Sequence, residues 1–200
     1  MPYIGTSPSS AATATSLTDA DDNTKIQVEE SADENIIRFD TAGTEAMKID
    51  ANGIVTKPLQ PCFQANPTSS QDNIAFNSYV QIAFGTEVYD VNSDFASNQF
   101  TAPVDGKYYL SGHVLLMNVS TGYNYYQMVI ITSGSTYRRF GLDSASMTGT
   151  SGYYMFGGGA VFDMDAGDTA DCRVTLDTTG SGSSSIDIGT NSHFSGYLVG

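Results

Sequence analysis

The stretch Asn98–Asn118, NQFTAPVDGKYYLSGHVLLMN, decides the fold of this chain. It begins as a turn, because Pro103, Asp105 and Gly106 interrupt regular structure. Tyr, Val and Leu then dominate, and these residues are typical of a long strand. The sequence therefore predicts one extended strand directly after a tight turn.

Both faces of this predicted strand are apolar. One face carries alternate residues from Tyr108 to Leu116, and the other carries Tyr109, Ser111, His113, Leu115 and Met117. An ordinary antiparallel strand has one solvated face, so a strand with two apolar faces needs a cover on each side.

Composition indicates an all-β protein that does not bind nucleic acid. The chain has 200 residues, a formal net charge of −14 and a pI near 4.1, so its field repels phosphates. Only 15% of the residues are charged, while 12 Tyr and 10 Phe suit strands. We expect Cys62 and Cys172 to act as small apolar residues rather than as a metal site or a bridge.

The N-terminal sequence lacks the basic start and apolar core of a signal peptide, and no apolar run is long enough to span a bilayer. We therefore expect synthesis in the cytosol and no membrane insertion. Residues 1–24 are small and polar, and such a segment becomes ordered only when something holds it. We interpret residues 1–24 as an anchor that docks onto a partner.

A short repeat occupies residues 25–57. Ile37–Gly43 aligns with Met47–Gly53 as apolar, basic, apolar, Asp, two residues, Gly. Each unit predicts a short strand closed by a glycine turn. Such hairpins cannot stand alone in water, and a trimeric shaft would cover their apolar face. Residues 25–60 are therefore interpreted as a β-rich shaft and a proline-containing linker.

Residues 61–200 predict a β-sandwich or barrel. The candidate strands are Cys62–Ala65, Tyr79–Phe84, Phe95–Phe100, Tyr108–Met117, Tyr125–Thr132, Tyr137–Leu142, Tyr153–Phe162, Thr169–Leu176, Ser185–Gly189 and Phe194–Val199.

This region resembles the C1q/TNF-like jelly-roll family. The aromatic signature of C1q domains is matched by Phe84, Asp90, Phe95, Phe100 and Gly106, followed by Tyr108 and Leu110 at alternate positions. Two departures stand out: the spacing from Phe95 to Phe100 is two residues short, and Gly112 replaces a ring. The stretches Val161–Thr169 and His193–Val199 resemble the later strands of the family.

The resemblance implies an all-β two-sheet jelly roll that forms a homotrimer through the sheet holding the first, third and last long strands. The expected trimer interface is Tyr109, His113, Leu115, Met117, Tyr197 and Val199. The repeat followed by a jelly-roll head also resembles short fibre proteins of tailed bacteriophages. That resemblance implies a location on the virion surface, with residues 1–24 bound to another virion protein.

Catalytic chemistry finds little support in the residues. His113 and His193 are the only histidines, both on predicted interface strands, and no G-x-S-x-G, P-loop or HExxH pattern occurs. No catalytic residue and no cofactor are therefore expected. The densest acidic group is Asp163, Asp165, Asp168 and Asp171. Its members Asp163, Asp165 and Asp168 are a weak Ca²⁺ candidate, because turn-forming aspartates explain the same positions.

The ligand candidates are aromatic and basic residues near predicted loops, since Tyr rings stack on sugars at low entropic cost. They are Tyr123, Tyr125, Tyr137, Arg138, Arg139 and Tyr153. The sequence thus favours a trimeric virion fibre whose head binds a host-surface glycan or protein. Two alternatives stay open: a purely structural decoration protein and a glycan depolymerase.

Overall fold

A computed structural model describes residues 16–28, 30–119, 122–134, 137–143, 152–179 and 184–200. These residues form strands β1 to β17, and the chain divides into two compact units between Leu59 and Gln60. No helix within the described ranges has the length and apolar character needed to cross a membrane.

The first unit contains one antiparallel sheet in the order β1-β2-β3-β4-β5. Its strands are β1 Ser16–Thr18, β2 Lys25–Gln27, β3 Ile37–Thr41, β4 Thr44–Ile49 and β5 Val55–Thr56. The repeat is confirmed as strands closed by glycine turns, because Gly43 and Gly53 adopt φ of 76° and 80° after β3 and β4. The sheet starts at Ser16, within the range predicted as the anchor; residues 1–15 lie outside the described ranges.

The two faces of this sheet differ sharply. Pairing places Leu17 opposite Ile26 and Ile26 opposite Phe39, so that these side chains share an apolar face, on which Leu17 is 70% exposed. The other face is charged. There the Arg38 guanidinium lies between three carboxylates, those of Glu30, Glu34 and Glu45 at 3.6, 2.9 and 3.3 Å.

The second unit, the head, consists of two packed sheets. The β11 sheet has the order β14-β11-β17-β6-β8, with β16 also paired to β11; the β12 sheet has the order β13-β12-β15-β10-β9, with β7 paired to β15. The strands are β6 Cys62–Asn66, β7 Val80–Gln81, β8 Thr86–Asp90, β9 Phe95–Ala96, β10 Gln99–Thr101, β11 Gly106–Val119, β12 Tyr125–Thr132, β13 Tyr137–Asp143, β14 Gly152–Met164, β15 Thr169–Asp177, β16 Asp187–Ile188 and β17 His193–Leu198.

An aromatic cluster between the two sheets forms the core. The Phe63 ring lies 5.0 Å from Phe95, 4.8 Å from Phe100 and 5.0 Å from Phe194, measured between centroids. Asp90 positions this cluster, because its carboxylate accepts hydrogen bonds from the backbone N–H groups of Asp94 and Phe95. The motif residues thus act together: an aspartate holds the loop that delivers the rings to the core.

Three strand predictions were wrong in detail. Phe95–Phe100 is a hairpin of two short strands rather than one strand, because Ser97 and Asn98 adopt φ of 52° and 64° and form a two-residue turn. This turn accommodates the shortened spacing of the motif. The candidates at 79–84 and 185–189 shrink to β7 and β16, and β8 was not predicted.

The core face of β11 is covered by the β12 sheet, as expected. Tyr108, Leu110, Val114 and Leu116 are fully buried there. At the position of Gly112 the C1q signature has an aromatic ring, and here two sulfur atoms fill that space. A Cβ at Gly112 would lie 2.9 Å from Cys172 Sγ and 3.0 Å from Met128 Sδ. Cys62 and Cys172 are free thiols.

Candidate functional site

The outward face of the β11 sheet exposes several large apolar side chains of the head. Side chains from β14, β11 and β17 meet there in register, because Tyr109 pairs with Val161 on one side and Tyr197 on the other. Tyr153 is 74% exposed and Tyr197 50% exposed on this face. Large exposed apolar patches of this kind mark interaction sites.

All six residues predicted for the trimer interface lie on this face: Tyr109, His113, Leu115, Met117, Tyr197 and Val199. The structure adds Tyr153, Met155 and Val161 of β14 to the same face, all of them exposed. Sequence reasoning missed these β14 residues because it does not show which strand pairs with β11 or in which register. The doubled apolarity of β11 predicts that a cover is needed, and leaves open which strands share its outward face.

Two side-chain pairs occupy the middle of the face. The rings of Tyr109 and Tyr197 lie 5.5 Å apart, and the Tyr109 ring fills the space above Gly159. The rings of His113 and His193 stack at 4.7 Å, with Nδ1 of His113 3.1 Å from Nε2 of His193. Burial, and secondarily the neighbouring His113, lowers the pKa of His193 below its usual value.

The outward face of the β12 sheet carries a second feature, a small hollow of about 160 Å³. Its floor is Val129 and Ile131 on β12. Four residues flank it, two from β13, one from β15 and one from the segment before β7: Tyr137, Arg139, Arg173 and Tyr79. Register brings them together, because Val129 pairs with Arg139 on β13 and with Arg173 on β15.

The two arginines of this hollow have different partners. Arg139 Nη2 donates a hydrogen bond to the Tyr79 hydroxyl at 2.8 Å, and its guanidinium lies 4.9 Å from the Tyr137 ring centroid. Arg173 instead forms two short hydrogen bonds to the buried carboxylate of Asp171, at 2.6 and 2.7 Å. Gln99 also donates to Asp171, so that carboxylate accepts three hydrogen bonds from side chains.

The structure separates the other predicted ligand residues from this hollow. Tyr123 lies in the turn before β12. Its ring packs against the rings of Phe76 and Tyr126, because an aromatic ring is more stable in such contacts than in water. Tyr125 lies further along the same face, opposite Asp143 and Asp177.

Arg138 and Tyr153 also lie elsewhere. The Arg138 guanidinium lies over the Phe162 ring, 5.8 Å from its centroid. Tyr153 belongs to the outward face of the β11 sheet. Of the six candidates, only Tyr137 and Arg139 therefore come together, and sequence reasoning missed Tyr79 and Arg173.

The acidic group between β14 and β15 serves the turn. Asp163 pairs with Lys107 at 3.2 Å, while the Asp168 carboxylate accepts hydrogen bonds from Ser133 Oγ and the Asp165 N–H. Among the described residues no cluster of three or more His, Cys, Asp or Glu side chains could hold a metal ion. The Ca²⁺ candidate Asp163, Asp165 and Asp168 is thus not assembled into a site.

Comparison with known proteins identifies the fold. No family model and no curated protein matches the chain. Among solved structures, it is similar to the globular domain of zebrafish complement 1qA protein, with 19% identity, covering 70% of this chain and 98% of that one at a TM-score of 0.51. It is also similar to murine APRIL, with 11% identity, covering 70% and 99% of the two chains at a TM-score of 0.52.

These similarities, together with the two-sheet topology, show that the head is a C1q/TNF-like jelly roll and that the all-β prediction was correct. At these identities the likeness establishes the fold alone.

Proposed function

We propose that this protein is a homotrimeric, non-enzymatic fibre on the surface of a bacteriophage virion, whose head attaches to a glycan or protein of the host. One observation carries the self-association: the outward face of the β11 sheet exposes Tyr153, Met155, Val161, Tyr197 and Val199 together. An acidic protein that is otherwise rich in polar residues gains most by burying this face against copies of itself. The jelly-roll resemblance implies three copies around one axis.

The first unit gives independent support for self-association. Its sheet has a charged face satisfied by internal ion pairs and an apolar face that includes Leu17, Ile26 and Val55, all exposed. A small sheet with one uncovered apolar face is marginal in water. Three copies packed through this face would form a shaft with its charges outside.

The virion role rests on the order of parts along the chain. A polar N-terminal range is followed by a short strand repeat and then by a jelly-roll head, as in the phage fibre proteins that the sequence resembles. In this arrangement residues 1–24 bind another virion protein and the head faces the host. The net charge of −14 suits a protein that stays clear of the packaged nucleic acid.

The test of self-association is the solution mass of the full chain. Light scattering should give about three times the chain mass of 21.2 kDa. Tyr197→Asp, which places a charge in the face, should lower the mass below that of three chains. Val104→Asp is the matched control, because Val104 is equally exposed but lies in the turn before β11. A single-chain mass for the unaltered protein would overturn the proposal.

The test of attachment uses the same full chain on an array of bacterial surface glycans. Retained, uncleaved glycan supports a binding head. Silence on glycans and on host cells would indicate a structural decoration protein, and shortened glycan products would indicate a depolymerase. Imaging of assembled particles with a label on the head locates the fibre on the virion.

A further inference from the structure

The hollow on the outward face of the β12 sheet, lined by Tyr79, Val129, Tyr137, Arg139 and Arg173, is not explained by folding alone. We propose that it binds one sugar ring that carries a carboxylate, that is, an acidic monosaccharide unit of a surface glycan. This inference rests on the proposed attachment function and assigns its site and ligand class.

Charge is the first argument. The head has four cationic residues, and two of them are neutralised: Lys107 pairs with Asp163, and Arg173 with Asp171. Arg139 contacts a hydroxyl and two rings, and no carboxylate in the described part of the chain lies within 4.0 Å of it. The residues of the head that fall outside the described ranges include no Asp or Glu. In a protein with a charge of −14, the hollow therefore keeps one uncompensated positive charge.

The second argument is that the Arg139 guanidinium is held in place. Its Nη2 group is fixed by the Tyr79 hydroxyl, and the rings of Tyr79 and Tyr137 lie 5.9 and 4.9 Å from its central carbon. A guanidinium has five N–H donors in a planar fork, and within the described part of the chain only one donor of Arg139 makes a hydrogen bond. A fixed fork with free donors matches the two oxygens of a carboxylate.

Arg173 adds no net charge to the hollow, because it is paired with Asp171. Its Nε and Nη2 groups donate to Asp171, whose side chain is only 3% exposed, which leaves the Nη1 group outside these bonds. This pair is neutral overall, so the hollow carries the single charge of Arg139. One anionic group, rather than a multiply charged ligand, satisfies it.

The shape and lining indicate a single sugar ring. Tyr79 and Tyr137 are about half exposed, at 48% and 49%, and Val129 beneath them is 3% exposed. Half-exposed tyrosines offer an apolar ring for the C–H face of a sugar and a hydroxyl for its polar edge. The volume of about 160 Å³ is well below the roughly 300–1,000 Å³ of pockets for drug-sized ligands, so that only one ring fits.

A peptide suits this hollow less well. Extended peptides bind by adding a strand to an unpaired sheet edge. The floor strand β12 is already paired on both sides, with β13 and with β15. Recognition at the hollow must therefore come from side chains, and these match a compact anion with an apolar face.

The experiment measures binding of methyl β-D-glucuronoside to the full chain by saturation-transfer NMR, with methyl β-D-glucoside as the neutral probe and glucose 6-sulfate as the alternative anion. We expect the glucuronoside to bind, the glucoside to bind at least about 10-fold more weakly, and the sulfate to fall between them, because a hydrogen-bonded charged group contributes about that factor. Equal binding of the neutral and acidic probes would overturn the ligand class.

The deciding variant is Arg139→Met, and Arg138→Met is its matched control. Both remove one positive charge from β13, but Arg138 lies over Phe162, away from the hollow. Arg139→Met should weaken glucuronoside binding about 10-fold or more, whereas Arg138→Met should leave it within about 2-fold. Equal losses in both variants would reduce the effect to net charge and overturn the site.

The solution mass of each variant separates this inference from the proposed function. A trimeric protein that binds host glycans but whose Arg139→Met variant binds the glucuronoside unchanged overturns the site and leaves the fibre function standing. A protein that binds no probe and no host glycan overturns both the inference and the attachment role. Unchanged circular dichroism in Arg139→Met confirms that a loss of binding is not a loss of fold.

Discussion

Gly112 leaves room on the core face of β11, and two sulfur atoms from the β12 sheet take it. A Cβ at this position would lie within 3.1 Å of Cys172 Sγ and of both Sδ and Cε of Met128. Real Cβ atoms do not approach other atoms so closely without displacing them, and interiors packed to crystal density have little slack. The glycine, the thiol and the thioether therefore form one packing unit.

Gly112→Ala should lower the free energy of unfolding by about 1–3 kcal/mol through overpacking, measured by urea denaturation. Gly141→Ala is the control, because a Cβ on Gly141 meets nothing closer than 3.4 Å. There the reduced entropy of the unfolded chain should make the change neutral or stabilising. Adding Cys172→Ala should recover part of the Gly112→Ala loss; strict additivity of the two changes would contradict the packing unit.

The stacked pair His113–His193 predicts a pH response. No carboxylate among the described residues lies within 4.0 Å of either ring, so nothing compensates a proton added to the pair. The pKa of His193 is lower in the folded protein than in the unfolded chain, through burial first and His113 second. In the unfolded chain this histidine has its ordinary pKa of about 6.5, so below that pH the unfolded chain binds more protons than the folded protein. Stability therefore falls as the pH drops through that value.

The measurement is urea denaturation at pH values from 8 to 5. The unaltered protein should lose stability below about pH 6.5, and His193→Gln should flatten this part of the profile. Ser195→Ala, a change on the same face of β17 that does not titrate, should keep the original slope. A His193→Gln profile parallel to that of the unaltered protein would show that the pair does not titrate on unfolding.

At the scale of elements, the sheet of the first unit is held on its charged face by Arg38 and its glutamates. The pKa of Glu34 is lowered to about 2, first by the backbone N–H of Glu30 and then by Arg38. A lowered carboxyl pKa contributes stability above the unfolded value of about 4.5, and this contribution is lost as the pH falls from there towards 2.

A carboxyl NMR titration of the full chain tests this arrangement. Glu34 should titrate near 2 in the unaltered protein. Arg38→Met should raise its pKa only part of the way to 4.5, because the larger contribution, from the Glu30 N–H, remains. Lys48→Met is the control, since its Nζ contacts Glu45 rather than Glu34. A full return to 4.5 in Arg38→Met would show that the backbone hydrogen bond contributes nothing.

The sequence predicts the long strands well, and the reason lies in their side chains. β11, β12 and β15 alternate or are continuously apolar over eight or more residues, and their predicted ends differ from the structure by two residues or fewer. β8 was missed because four of its five residues are exposed and show no alternation. Short strands such as β7 form only because a neighbouring strand supplies their hydrogen bonds. The residues of the short segment do not show which strand that neighbour is.

The same limit explains the candidate sites. The interface residues on β11 and β17 were predictable because doubled apolarity is visible along one strand. The hollow was predictable only for Tyr137 and Arg139, which are close in sequence. Arg139 and its partner Tyr79 are 60 residues apart, and only the pairing of β12 with β13 and β15 brings Arg173 beside them.

At the scale of the whole molecule, two effects oppose each other in assembly. Each unit exposes an apolar sheet face, which favours association, while a charge of −14 on every chain favours separation. Salt screens the repulsion between exposed charges and leaves apolar burial largely intact. Stability should therefore depend both on protein concentration and on ionic strength.

The last prediction follows from that balance. Because association stabilises only the folded chain, the thermal midpoint should rise with protein concentration, and it should rise further from about 20 mM to about 300 mM salt as repulsion is screened. Tyr197→Asp removes the head's part of the gain from association, so its midpoint should be lower and less dependent on concentration, whereas Val104→Asp should follow the unaltered protein. Scanning calorimetry over a 100-fold range of concentration measures this. A concentration-independent midpoint for the unaltered chain would mean that each copy folds alone and that the apolar faces serve another partner.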